Sequence, residues 1–206
     1  EIWNPATDEH LASNYSLRSK NWQKNKLQNK VELMKRVELP ETSRPLLGFI
    51  GRMVDQKGVD LILSAIPAIM SETNASLIIL GSGDRMIEND FRTLAEQYSA
   101  RLHVFIGYSE ELAHMVEAGS DMFLMPSRFE PCGLNQMYSL RYGTPPVVTN
   151  TGGLADTVVD TTEATLKNGT ATGFKIHELS PTSLTETIKR ALEVYIQPEQ
   201  WKQVCE

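Results

Sequence analysis

From position 45 onward, short apolar runs alternate with stretches whose apolar residues recur at helical spacing. Runs at 46–50, 77–80, 102–106, 122–125 and 146–149 have strand length, and 59–70, 86–98, 110–118 and 134–142 have helical periodicity, the last stopping at Gly143. Residues 173–176 read as a last strand. A last helix follows over 181–195, with Pro181 at a first helical position. This alternation implies crossover units, and so an α/β fold: a Rossmann-like, doubly wound parallel sheet with helices on both faces. Residues 161–168 are expected to form an exposed loop.

Ahead of this pattern, residues 16–39 are polar and lysine-rich, with apolar positions at Leu17, Trp22, Leu27, Val31, Met34 and Val37 before Pro40 ends the run. The spacing predicts a surface helix packed by one stripe, with Lys20, Lys24, Lys26 and Lys30 read as its solvated face, the alternative being a site for an anionic partner. The chain thus divides into 1–44, a leading segment with one helix, and 45–206, the α/β domain. No internal repeat or low-complexity tract interrupts it.

Composition narrows the possibilities. A length of 206 residues suits one α/β domain with an added helical segment and would cramp two. The balance of 20 Lys and Arg against 26 Asp and Glu, net −6, argues against nucleic acid or a membrane surface as partner, since both are polyanions. A local basic pair could still hold one small anion. Cys132 and Cys205 lie far apart, without CxxC, metal-ligand spacing or a disulfide framework, so a reducing compartment is expected. No apolar run approaches the roughly 18 residues of a membrane span, and no leader is visible. A soluble protein is expected. Because the chain begins at Glu1, it is also expected to be a fragment.

Candidate chemistry gathers in the turns. In open α/β sheets a ligand lies beyond the carboxyl ends of the strands, and every glycine loop of this chain falls there: 51–58, 81–83, 107–108, 127–135 and 150–153. Arg52 and Lys57, five positions apart and bracketed by Gly51 and Gly58, could aim a guanidinium fork and a point charge at one diphosphate, although surface cations are commonly just solvated. In Pro126-Ser-Arg-Phe-Glu-Pro-Cys-Gly-Leu-Asn-Gln136, a carboxylate stands beside a glycine turn where a strand gives way to a helix. The N–H groups of Gly133, Leu134 and Asn135 would be the free donors of that helix start, suited to a phosphate. Glu130, too close to the anion to be its partner, is expected to accept hydrogen bonds from hydroxyls attached to it. Pro131 keeps Glu130 out of helical backbone.

Other residues keep two readings. Cys132 is either a thiol favoured as thiolate by the helix start or a small residue filling a tight turn. Tyr108 either stacks on a nucleobase or packs on the rim, and Ser82 and Gly83 are candidates to line the nucleoside. His103 and His114 read as structural histidines, and Asp156 as a helix cap. No Asp-x-Asp pair and no metal-ligand cluster occurs, so neither metal nor cofactor is expected.

Taken together, these stretches resemble the bacterial glycogen and plant starch synthases, retaining glucosyltransferases with two Rossmann-like domains of the glycosyltransferase B type. The resemblance spans nearly the whole chain. It rests on Trp3-Asn-Pro-Ala-Thr-Asp8, Gly51-Arg-Met-Val-Asp-Gln-Lys-Gly58, Gly81-Ser-Gly83, Gly107-Tyr-Ser-Glu110, His114-Met-Val-Glu-Ala-Gly-Ser-Asp121, the 126–136 stretch, Arg141-Tyr-Gly-Thr-Pro-Pro146 and Thr151-Gly-Gly-Leu-Ala-Asp-Thr-Val158. It implies that 1–44 is an interdomain crossing segment with its surface helix. It also implies that 45–206 is the carboxyl-terminal, nucleotide-sugar-binding domain, the amino-terminal acceptor domain being absent. By the same resemblance, Arg52 and Lys57 hold the donor diphosphate, Glu130 contacts the donor glucose in the catalytic site, and Gly51, Ser82, Gly83, Tyr108, Cys132, Gly133, Leu134 and Asn135 line the donor. The implied reaction is metal-independent transfer of glucose from ADP-glucose to an α-1,4-glucan with retention, in a bacterial cytoplasm or a plastid stroma. Stacking on Tyr108 suits adenine or uracil, so UDP-glucose stays open from the residues alone. Many proteins of this fold carry a second glutamate eight positions after the first; Tyr138 stands there instead, as in the synthases. The competing readings are a sugar-nucleotide epimerase or hydrolase on the same fold, and a non-catalytic nucleotide- or glucan-binding module.

Overall fold

The computed structural model describes residues 2–40 and 43–206. Six parallel strands, β1 (Leu46–Ile50), β2 (Ser76–Gly81), β3 (Leu102–Ile106), β4 (Met122–Met125), β5 (Pro146–Thr149) and β6 (Phe174–Ile176), form one sheet in the order β3-β2-β1-β4-β5-β6. Each crossover carries helix: α2 (Val59–Glu72), α3 (Arg85–Gln97), α4 (Glu110–Gly119), α5 (Asn135–Arg141), then the short α6 (Gly152–Thr157) and α7 (Glu163–Asn168) together. α1 (Trp22–Arg36) precedes the sheet, and α8 (Pro181–Tyr195) and α9 (Pro198–Cys205) follow it. The α/β, doubly wound class is therefore the observed one. No described helix is long and apolar enough to cross a membrane.

Strand alternation explains the two layers. Leu47, Phe49, Leu77, Ile79, Met122, Leu124 and Val147 point to one face and pack with α2, Phe91 of α3, and Leu184, Ile188 and Ala191 of α8. Leu46, Ile78, Leu80, Phe123, Met125 and Val148 point to the other and pack with Leu33 and Met34 of α1 and with Leu112, Met115 and Val116 of α4. A strand buried on both faces must be apolar at every position, which is why these runs read as unbroken apolar stretches.

Residues 163–168 are helical: Thr162 caps the turn, its hydroxyl accepting from the Thr165 N–H while Thr165 Oγ1 accepts from the Thr162 N–H. α9 was not anticipated from the sequence, being a short helix whose start is marked chiefly by Pro198.

α1 buries a different face from the expected one. Lys20 and Lys24 are exposed, but Lys26 and Lys30 are buried, whereas Leu27 and Val31 of the expected stripe are exposed. Lys26 Nζ donates to Ala118 O at 2.9 Å, Tyr142 O at 3.2 Å and Thr144 Oγ1 at 2.6 Å. Lys30 Nζ donates to Arg44 O at 2.7 Å and to Asp121 Oδ2 at 2.6 Å, and Asp121 also accepts from the Leu46 N–H. These ammonium groups find carbonyls at the ends of neighbouring elements, and that compensates their burial. Burial lowers the Lys26 ammonium pKa to about 8.

The leading segment is tied down by rings. The Trp3 ring stacks on His114 of α4, centroids 3.7 Å apart, and on Tyr138 of α5 at 4.6 Å. His114 Nδ1 lies 2.7 Å from Asp8 Oδ2, and the Tyr142 hydroxyl donates to the same oxygen at 2.5 Å. His114 is thus held wholly inside the structure, in contact with the segment that precedes α1.

Candidate functional site

The strand order reverses between β1 and β4, and at such a switch point the crossovers leave to opposite faces and open a crevice beyond the strand ends. The loops that follow these two strands carry Arg52 with Lys57 and Ser127 with Glu130. The structure brings Lys57 and Glu130 together: Lys57 Nζ lies 2.5 Å from Glu130 Oε2. Glu130, 8% exposed, also accepts from Ser127 Oγ at 3.3 Å. Ser127 is in turn held by the Thr149 hydroxyl, which donates to its carbonyl. Arg52 is exposed on the same loop as Lys57 and forms no hydrogen bond or ion pair through its side chain among the described residues, so its guanidinium is available to an incoming anion.

The two loops are pressed together. Lys57 ends a 3₁₀ turn, Asp55–Lys57, and Gly58 follows with φ 67°; a Cβ there would overlap the carbonyl oxygen of Pro126 at the end of β4. Only glycine permits both the left-handed turn and this approach. Across the crevice, Gly133 has φ 62°, and Asn135 begins α5 with its side chain donating to Ile50 O of β1 at 3.2 Å. The N–H groups of Leu134 and Asn135 precede any acceptor within that helix. Gln136 Nε2 donates to the Cys132 and Gly133 carbonyls at 3.1 and 2.9 Å, bracing the turn, and the Gly153 N–H donates to Glu130 O at 2.9 Å. Cys132 itself is exposed.

The remaining candidates line the neighbouring strand ends. Gly51 N donates to Leu80 O, Met53 N to Ser82 O and Gly107 N to Gly81 O, so the loops after β1, β2 and β3 form one stitched rim. Ser82 and Gly83 are exposed there, but the Gly83 N–H is already taken by Glu88 Oε1 at 2.9 Å. Tyr108, 83% exposed, stands after β3 with its ring open to a stacking partner. Asp156 is not a cap: it lies inside α6, whose N-cap position is Thr151. The backbone turns at Gly152, so the helix starts well ahead of where an Asp156 cap requires.

Sequence reasoning missed Ser127, Arg128 and Gln136 as supports of this site. Ser127 stood in view, three positions before Glu130 at a strand end. The pairing of Arg128 with Asp60 had no sequence signal, since 68 positions separate them.

A switch point in a sheet of Rossmann order, with Arg52, Lys57, the buried Glu130 and the start of α5 at its strand ends, is where open α/β domains take their ligands. The family model for group 1 glycosyl transferases matches residues 30–204, and the chain belongs to that family. It is 51% identical to the glycogen synthase of Rhodopirellula baltica over 208 aligned positions, covering 100% of this chain and 41% of that protein. It is 46% identical to the glycogen synthase of Hydrogenovibrio crunogenus, covering 99% and 42%. Among solved structures it resembles the catalytic domain of starch synthase IV from Arabidopsis thaliana bound to ADP and acarbose, with TM-score 0.89 and 35% identity over 99% of this chain and 42% of that one. The chain therefore spans about two fifths of the length of these relatives.

Proposed function

We propose that this chain is the nucleotide-sugar-binding part of a glycogen or starch synthase, which transfers glucose from ADP-glucose to the non-reducing end of an α-1,4-glucan with retention. Residues 45–206 are its donor domain, and 1–44 lead in from an acceptor domain contained in the further length of its relatives. The observation that carries the reading is the meeting of the Lys57 ammonium with the Glu130 carboxylate at the switch point, where a sugar diphosphate presents its anion and its hydroxyls side by side. Arg52 and Lys57 take the diphosphate and stabilise it as leaving group, and the Leu134 and Asn135 amides add donors at the start of α5. Glu130 orients the sugar hydroxyls, and Tyr108 covers the base, adenine in this reading. The ADP in the starch synthase IV structure and the similarity to bacterial glycogen synthases support this donor and a cytoplasmic setting.

Retention follows from departure and attack on the same face, the leaving phosphate assisting the incoming hydroxyl. Without the acceptor half, positioning and water exclusion are incomplete, so the 206-residue chain alone is expected to turn over little or nothing. The test is calorimetric titration with ADP, UDP and AMP, beside an Arg52→Ala, Lys57→Ala double variant. The expected result is tightest binding of ADP, lost in the double variant. Equal binding by that variant would sink the reading.

A further inference from the structure

Arg128, between Ser127 and Glu130, spans the two loops of the crevice. Its Nη1 donates to Asp55 O at 2.7 Å and to Asp60 Oδ1 at 2.6 Å, and its Nη2 donates to Asp60 Oδ2 at 2.7 Å. Its backbone N–H donates to Gln56 O at 2.9 Å, and Gln56 Nε2 returns a bond to Phe129 O at 3.2 Å. Lys57 is thereby bracketed by anchored residues, Asp55 and Gln56 before it and Asp60 after it.

We propose that Arg128 is a positioning residue for the diphosphate site, a strap that sets where the Lys57 ammonium stands relative to Glu130 and hence how it reaches a bound nucleoside diphosphate. The proposal rests on the donor-site reading above. A lysine is a point charge on a flexible stem, so its reach depends on the backbone that carries it. Here that backbone is a single 3₁₀ turn, a geometry with little stability of its own. A planar guanidinium bound bidentately fixes both distance and angle between two segments. The Arg128 and Asp60 side chains are 37% and 38% exposed, where an ion pair adds little to folding stability, so the strap acts on geometry. The paired charges agree: the Arg128 fork holds the Asp60 carboxyl below its usual range.

The experiment uses the complete natural protein, with Arg128→Met and Asp60→Asn made singly and on a Lys57→Ala background. ADP binding is measured by calorimetry and donor KM and kcat by steady-state transfer. Each single variant is expected to weaken ADP binding and raise donor KM about tenfold, with Tm moved by no more than about 2 °C. On the Lys57→Ala background neither variant is expected to weaken binding further, because the strap acts through Lys57. Wild-type affinity in both single variants, or losses that simply add to that of Lys57→Ala, would overturn the strap. If Arg128→Met fails to fold, the near-isosteric Asp60→Asn decides by the same criteria. If ADP binding by the unaltered protein proves independent of Lys57, the donor-site reading itself falls and takes this proposal with it.

Discussion

Lys57 Nζ and Glu130 Oε2 stand 2.5 Å apart although 73 positions separate the residues, and the pair joins the loops that follow β1 and β4. A carboxylate this buried needs a counter-charge, and the ammonium supplies it until a phosphate competes for it. Glu130→Gln is therefore expected to leave Lys57 free for the anion. ADP affinity should stay within about threefold of wild type or rise, while glucosyl transfer falls about 100-fold through lost orientation of the sugar. Calorimetry and a transfer assay on the complete protein read both; a parallel loss of ADP affinity would refute the assignment.

Tyr108 is too exposed to contribute to folding, so its loss should register only in ligand binding. Tyr108→Ala is expected to weaken nucleotide binding by about 1–2 kcal/mol, in line with base stacking on an aromatic ring. Its unfolding midpoint should match that of wild type. Unchanged affinity for ADP would place the base elsewhere.

Glu117 is wholly buried in α4 with its Oε2 unpartnered among the described residues, and burial raises its carboxyl well above the ordinary value of 4.5. Above that value the unfolded chain gives up this proton while the folded one keeps it, so stability falls as pH rises. Glu117→Gln removes the ionisation. It is expected to stabilise the protein by about 1 kcal/mol at pH 7, with the advantage disappearing near pH 4. Urea unfolding at both pH values reads the difference, and an equal effect at each would contradict this account.

The stack of Trp3 on His114 and Tyr138 fastens the leading segment to α4 and α5. Trp3→Leu should cost about 2 kcal/mol of stability through lost ring contact and burial. Tyr138→Phe, which keeps the ring, should cost little. A Tyr138→Phe variant as unstable as Trp3→Leu would show that stacking is not what holds the segment.

The strands and the loops of the site were legible because their signals are local. A strand covered on both faces is apolar throughout, and a loop that must turn sharply at a strand end shows its glycines. Gly58 and Gly133 could thus be noticed before any contact was known. The buried face of α1 was misread because Lys26 and Lys30 look like solvent residues until carbonyls of α4, the turn after α5 and the start of β1 are placed around their ammonium groups. Asp156 looked like a cap for the same reason: type and neighbours suggest one, but the turn begins at Gly152.

The sequence by itself determined the alternation of the strands with α2 to α5, the parallel sheet and the collection of Arg52, Lys57, Tyr108, Glu130 and the start of α5 at strand ends. These follow from periodicity and turn chemistry acting over a few residues. Only the tertiary structure decided that Lys57 faces Glu130, that Arg128 ties their loops through Asp60, and that Trp3 packs on Tyr138. Those partners are set by the strand order, which puts β4 beside β1, and pairing across so many intervening residues leaves no mark on local composition.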